Sequence, residues 1–534
     1  MKSQRVLVTA LVAVVAFLSG GWLLQRGSQG GQNVYQKARL FDDILTYVSE
    51  YYVDTLNEGQ LYDMAIDGML RQLNDPYTTY LRERDLRELE LSTTGNYAGV
   101  GMQIDVRDRW ITVVAPIAGT PAESLGIESG DRIVEIDGES TRGWDNDHAV
   151  RELRGPPGTK VKLTIVRPGL SDSLRFEPTR ARIHVTSMQY AGALSGGEVA
   201  YVSFVNSSIS ETTGSELGRA VDSLRQRGAK SLIVDLRGNP GGVLDQGIAV
   251  ADLFLARGDV VAETKGRAPG SSQTYRDDRP ERWPGMPVVV LVDGGTASAA
   301  EIIAGALQDH DRALVLGTPT FGKGLVQTVY PLNQREALKL TTGRWYTPSG
   351  RTIQRPMVAQ AEEADATQHP DSAAADTAHL FRTTGGRTVY GGGGIRPDVT
   401  VRADTLTDGE KEFARVLGGN IPAYRDVLTS YALEIKGRNQ VKSPSFQVTP
   451  AMRAELLRRL RVKSVTLSDA QWEGAASLVA DQLGFEITRY VFGRPAEFAR
   501  RVSADEQVKR AVELLTRART PQDLLALAQR PAQD

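Results

Sequence analysis

Two residues in this chain have types and surroundings suited to acyl transfer, Ser298 and Lys323, 25 positions apart. A serine hydroxyl is a poor nucleophile until a base takes its proton. A lysine amine can be that base only if its pKa falls from about 10.4 towards neutrality, and desolvation on burial drives it in that direction. Gly322 and Gly324 flank the lysine and permit a tight turn that would point the amine inward. A helix beginning at the serine would offer backbone N–H groups and partial positive charge to a developing oxyanion. Both residues also have simpler readings. A serine at a strand–helix junction is ordinarily an N-cap, and a lysine between glycines is ordinarily a solvated loop charge. Spacing alone does not decide between them.

The surrounding pattern supplies the elements that would hold the pair. An apolar run at 288–292 reads as a buried strand, Asp293-Gly294-Gly295 breaks it, and from Ser298 the pattern becomes helical, with Ile302, Ile303, Ala306 and Leu307 on one face. A second run at 313–316 leads into Phe321-Gly322-Lys323-Gly324. Strands at 199–205 and 231–236, helices at 210–228 and 243–256, and a further strand at 337–344 continue an alternation that implies parallel strands with crossovers. Between strand and helix stands Arg237-Gly238-Asn239-Pro240-Gly241-Gly242. Such a turn could cradle a phosphate, but it lacks both the Gly-Lys-Ser/Thr ending of a P-loop and the G-x-G-x-x-G spacing. A plain packing turn is the other reading.

Several short motifs, in order, resemble those of the carboxy-terminal processing (tail-specific) proteases: Thr296-Ala297-Ser298-Ala299-Ala300-Glu301-Ile302, Phe321 to Gly324, Val326-Gln327, Asp235 to Gly242 and Trp345 to Arg351. The resemblance covers roughly residues 35–402. It implies an α/β, crotonase-like protease core with an inserted PDZ domain, an N-terminal helical segment and a C-terminal helical region. It implies that Ser298 is the nucleophile, Lys323 the general base and Gln327 the residue that orients the lysine. The Ala299 and Gly242 N–H groups would form the oxyanion hole.

Before that core, the order of strands, turns and helices over 93–180 resembles a PDZ domain of the bacterial type. Tyr97-Ala98-Gly99-Val100-Gly101-Met102 precedes an alternating strand at 103–106, and Ser129 to Gly138 fits the same family. A glycine-bearing loop ahead of an exposed strand edge can hold a peptide carboxylate while the strand pairs with the peptide, though one such loop alone is a weak signal; the resemblance implies C-terminal peptide recognition, with Val100, Gly101 and Met102 at the carboxylate end. Arg154 is a candidate relay from this unit to the protease. The expected partners are proteins or peptides with free C-termini, further copies in a homo-oligomer, and a regulatory adaptor protein.

The chain's 534 residues call for three or four domains: an anchor or signal segment 1–26, helices over 33–92, the PDZ unit 93–180, the core 181–402 and a helical region 403–534. Within the core, 357–386 reads as an acidic, Ala-rich surface insertion. The Gly391–Gly394 run reads as tight turns. After a basic start, residues 6–24 carry no charge and are long enough to span a bilayer as a helix. The reading favours an uncleaved anchor over a signal peptide and places the rest outside the cytoplasm. A formal net charge of −2 gives no support to nucleic-acid binding. There is no cysteine, hence no disulfide or thiolate metal site. The five histidines do not pair at a metal-ligand spacing. No metal or other cofactor is expected. The function expected is a serine endopeptidase acting near substrate C-termini. The rivals are a non-cutting PDZ scaffold and a non-peptidase of the same fold acting on acyl thioesters.

Overall fold

The structure, a computed structural model, describes residues 34–356 and 379–529. The candidate anchor at 6–24 and most of the expected insertion lie outside them. Among the described residues no helix is long and apolar enough to cross a membrane. The chain divides into two compact units, Met1–Glu83 with Gln327–Thr341, and Arg84–Val326 with Thr342–Asp534.

In the smaller unit, helix 34–51 is followed by Glu58–Arg71, whose N-terminus Asn57 closes with a reciprocal cap to Gln60. The expectation of helices throughout 33–92 fails at one place: Thr79–Leu81 is a strand, paired antiparallel with residues 337–339. Asp75 is the reason. Its carboxylate accepts the Tyr77 N–H at 2.9 Å and the Thr78 hydroxyl at 2.6 Å, which turns the chain out of helix.

The larger unit is built on a six-stranded sheet in the order Tyr190–Leu194, Val199–Ser203, Ser231–Asp235, Val288–Val292, Leu314–Gly317, Val399–Thr400. The first pair is antiparallel and the others are parallel. The strands are apolar on both faces, as a two-sided sheet requires. Val288, Val290 and Val292 face helices Thr213–Gln226, Leu244–Asp252 and Ala299–Asp309. Val289 and Leu291 face the opposite side, with Val508, Leu514 and Leu524 packed on them. The last two helices, Glu506–Arg517 and Pro521–Ala528, therefore close the second face of the sheet and do not stand apart as a tail. The helices from Asp408–Leu417 to Ala476–Phe492 enclose a core of their own around Phe413, Leu456, Trp472 and Leu483.

The expected PDZ unit is an antiparallel sheet in the order Met102–Arg107, Trp110–Pro116, Arg132–Ile136, Leu163–Val166, Leu174–Phe176, with helix Asn146–Leu153 packed on it. Asp145 caps that helix through the His148 N–H at 2.7 Å. Sequence patterning missed Leu174–Phe176 and the pairing of Asn96–Gly99 with Ala181–His184, which clamps the two ends of the unit together. It also placed the insertion's end too late. Leu380–Arg382 and Thr388–Tyr390 form a hairpin with Val389 buried, and Arg387 pairs with Asp311 and Asp398, each at 2.5 Å.

Candidate active site

The loops leaving three adjacent parallel strands meet at the carboxyl edge of the large sheet, where open α/β sheets place ligands. Ser231–Asp235 feeds the glycine turn 237–242, Val288–Val292 feeds the serine turn, and Leu314–Gly317 feeds the lysine turn. Strand adjacency is thus what brings Ser298 and Lys323 to one place.

The serine turn is tied to its neighbours through main-chain groups. Asp293 Oδ1 accepts the Gly238 and Gly295 N–H groups at 2.8 and 2.9 Å. The buried Thr296 hydroxyl donates to the Leu236 carbonyl at 2.9 Å, and the Ala297 N–H donates to the Asn239 carbonyl at 2.9 Å. Ser298 then takes φ 55°, ψ −120°. An ordinary N-cap is extended, as Asp145 is at φ −86°, ψ 171°. A serine at positive φ with this ψ carries strain of about 1–3 kcal/mol, the kind stored at functional sites. Ser298 is the N-cap of helix Ala299–Asp309, paired with Glu301 at the third helical position, but in a backbone conformation that capping alone does not require.

Glu301 joins the serine turn to the lysine turn. It is fully buried, and its carboxylate accepts four hydrogens. The Thr320 hydroxyl and the Gly322 N–H bind Oε1 at 2.5 and 2.8 Å; the Ser298 and Lys323 N–H groups bind Oε2 at 2.8 and 2.9 Å. Burial pushes this carboxyl above its ordinary range, while the four donors favour its charged form. All four point hydrogens at its oxygens, so the arrangement is that of a carboxylate, not a carboxylic acid. In the sequence Glu301 stands within the Thr296–Ile302 motif with no role of its own. The available signal was an acid on an otherwise apolar helix face.

The lysine turn is shaped from the other side as well. Gly322 has φ +88°, and a Cβ there would lie 2.6 Å from Arg355 Cγ. The Trp345 indole N–H donates to the Lys323 carbonyl at 3.0 Å. Gly394 has φ +79° and presses on Thr320, where a Cβ would lie 2.4 Å from the carbonyl oxygen. The Gly391–Gly394 run is thus a close-packed strap over the lysine loop as well as a turn.

The glycine turn reaches the serine directly. A Cβ on Gly241 would lie 2.8 Å from both the Ala299 nitrogen and Ser298 Cβ. Gly242, at φ +152°, bridges to Ile209 in parallel register. Neither the Ala299 nor the Gly242 N–H donates to an acceptor among the described residues. Arg237 anchors the turn to the buried Asp235 at 2.5 Å, and to Asp505 and Gln507 at the start of the helix Glu506–Arg517, each at 2.7 Å. Sequence reasoning did not foresee that link, because it joins residues 268 positions apart. Gln327 falls in the smaller unit, where its amide donates to Thr341 Oγ1 at 3.5 Å.

In the PDZ unit, Val100 and Gly101 lie immediately before the sheet's terminal strand, Met102–Arg107. Their carbonyls are engaged by the Ala122 and Ile117 N–H groups, while their own N–H groups donate to nothing among the described residues. Gly101, at φ +81°, sits against Thr120. Arg154 caps helix Asn146–Leu153, and its guanidinium lies 5.2 Å from the ring centroid of Tyr97, on the strand leading into this loop.

Comparison with known proteins agrees with this architecture. Residues 183–363 match the profile of peptidase family S41, residues 112–167 that of a PDZ domain, and residues 23–84 that of the activating protease CtpB N-terminal domain. A carboxy-terminal-processing protease of Bartonella bacilliformis is 39% identical over 327 residues, 60% of this chain and 74% of its own length. The carboxy-terminal processing protease CtpA of Bacillus subtilis is 36% identical over 358 residues, 66% of this chain and 74% of its own. Among solved structures, a photosystem II D1 C-terminal processing protease is 28% identical, with a TM-score of 0.35 over 70% of this chain and 90% of its own.

Proposed function

Because the chain belongs to the carboxy-terminal processing proteases of peptidase family S41, with a PDZ domain beside its α/β core, we propose that it is a serine endopeptidase working by a Ser298–Lys323 dyad. Ser298 attacks the substrate's peptide carbonyl. Lys323 takes the hydroxyl proton and returns it to the leaving amine, and Gln327 orients the lysine. The Ala299 and Gly242 N–H groups receive the oxyanion. The observation that carries this reading is the Ser298 turn itself: strained backbone, two unspent N–H groups beside it, and a buried carboxylate tying it to the lysine loop. Purified full-length chain incubated with an unfolded protein should yield fragments that are absent with Ser298→Ala. Substrate that stays bound and uncut by the unaltered chain would favour the scaffold reading.

Gly242→Ala tests the oxyanion role. An added Cβ would lie 2.1 Å from the Ile209 carbonyl oxygen, so the loop must shift and its N–H with it. Removal of one such donor lowers kcat by about 10²–10³ with little change in KM, and steady-state kinetics on a fluorogenic peptide would read both.

Substrate C-termini dock, in this reading, with the carboxylate on the Val100–Met102 loop and the chain added to the edge strand Met102–Arg107. Arg154, stacked on Tyr97, carries the occupied state onward. Loss of one such stacking contact, worth about 0.5–1 kcal/mol, predicts a two- to fivefold weaker stimulation of hydrolysis by a C-terminal peptide in Arg154→Ala. Unchanged stimulation removes Arg154 from the account. The working location is outside the cytoplasm, held to the membrane by residues 6–24. Protease protection in spheroplasts of a tagged chain would test that placement. Assembly into a homo-oligomer and engagement of an adaptor are part of the same proposal, and sedimentation of the purified chain tests the first.

A further inference from the structure

Three carboxylates stand together at the far end of the helix that follows Gly242. Asp252 is the last residue of Leu244–Asp252, and Asp277 and Asp278 follow the strand Gln273–Arg276. One oxygen from each lies within 4.8 Å of the other two. A helix C-terminus carries the negative end of the dipole and unsatisfied carbonyls, so acids gathered there repel one another and the helix end alike. Neighbouring bases leave this uncompensated. Arg257 Nε donates to the Asp278 carbonyl at 2.9 Å, and Arg279 reaches Asp278 Oδ1 only at 3.5 Å, with both side chains largely exposed.

Asp277 supplies the second observation. It is 3% exposed. Its Oδ1 accepts the Arg279 N–H at 2.7 Å, but its Oδ2 meets no donor among the described residues. A buried carboxylate oxygen without a donor, beside two more carboxylates, calls for a proton or a cation between them.

We propose that Asp252, Asp277 and Asp278 bind a divalent cation of the calcium type. An all-carboxylate set suits a hard cation and not zinc. Ca²⁺ accepts carboxylate oxygens in flexible geometry at about 2.3–2.6 Å, whereas Mg²⁺ demands near-ideal octahedral geometry, so three carboxylates converging from a helix end and a strand end suit the larger ion. Asp278 lies on the exposed side and gives the ion its path, and water completes its shell. The bound ion pins the C-terminal end of the helix to the strand Gln273–Arg276, and so braces the element that begins beside Gly242.

The test uses full-length chain carrying Ser298→Ala, stripped with EDTA and titrated calorimetrically with CaCl2 and, separately, MgCl2. One Ca²⁺ per chain at sub-millimolar affinity is expected, with a rise in Tm of about 2–5 °C at saturating Ca²⁺. Asp252→Asn and Asp278→Asn should each weaken binding at least tenfold, while Asp252→Asn in EDTA should unfold no earlier than its parent, since it removes repulsion. No heat and no shift with either ion, or a shift that survives in both variants, overturns the site and leaves a shared proton between the carboxylates. A response to Mg²⁺ as strong as that to Ca²⁺ overturns the calcium assignment.

Discussion

Lys323→Ala should lose cleavage of an unfolded protein by about 10⁴-fold or more in kcat, and Ser298→Ala by a similar factor. The two act as one unit, so the double variant should be no slower than either single one. Lys323→Arg should not rescue. A guanidinium stays charged at any working pH and cannot accept the serine proton. Folding should be spared in all three, because Lys323 is held by its backbone, through its N–H to Glu301 and its carbonyl to Trp345. A fourth substitution separates strain from chemistry. Ser298 sits at φ 55°, which glycine adopts freely. Ser298→Gly should therefore be inactive yet more stable than the parent by about 1 kcal/mol, read as a higher midpoint in urea. Full cleavage by Lys323→Ala would remove the dyad from the account.

Much of this site could be read before any fold was known, and the reason is local. Val288–Val292, the Asp293-Gly294-Gly295 break and the stripe from Ile302 to Leu307 each follow from a period or a turn residue within a few positions. The same holds for Asp145 at its helix start and for the strand that follows Val100 and Gly101. What escaped the sequence depends on long-range partners. Thr79–Leu81 is a strand because residues 337–339 pair with it, and Leu380–Arg382 belongs to a hairpin held by Asp311. Helix Glu506–Arg517 looks like any amphipathic surface helix in sequence. Its apolar face lies on Ile233, Val289 and Leu314, far back in the chain. The Ser298 backbone strain had no sequence signal, since any short motif there would read equally well as a plain cap.

Glu301→Gln is expected to be the most damaging isosteric change in the molecule. The amide keeps the shape of the carboxylate but exchanges one acceptor oxygen for an NH2. If that NH2 replaces Oε1, it faces the Gly322 N–H and the Thr320 hydroxyl. The hydroxyl could turn its lone pair, but the Ile395 N–H already donates to it at 2.6 Å. If the NH2 replaces Oε2, it faces the Ser298 and Lys323 N–H groups, neither of which can turn. Every rotamer thus leaves at least one buried backbone donor against another donor. Each such orphan costs about 1–3 kcal/mol, and the loop must move to relieve it. Because these donors fix where the serine and lysine turns stand, a displacement of about 1 Å should lower turnover by about 10². A positioning role predicts that kcat falls while KM and binding of a C-terminal peptide to the PDZ unit hold, measured well below the variant's lowered Tm. Thr320→Ser, which keeps the hydroxyl that donates to Glu301 and accepts the Ile395 N–H, should lose much less. Equal losses in the two variants, or an unchanged kcat in Glu301→Gln, would show that the turns are held together by something other than this carboxylate.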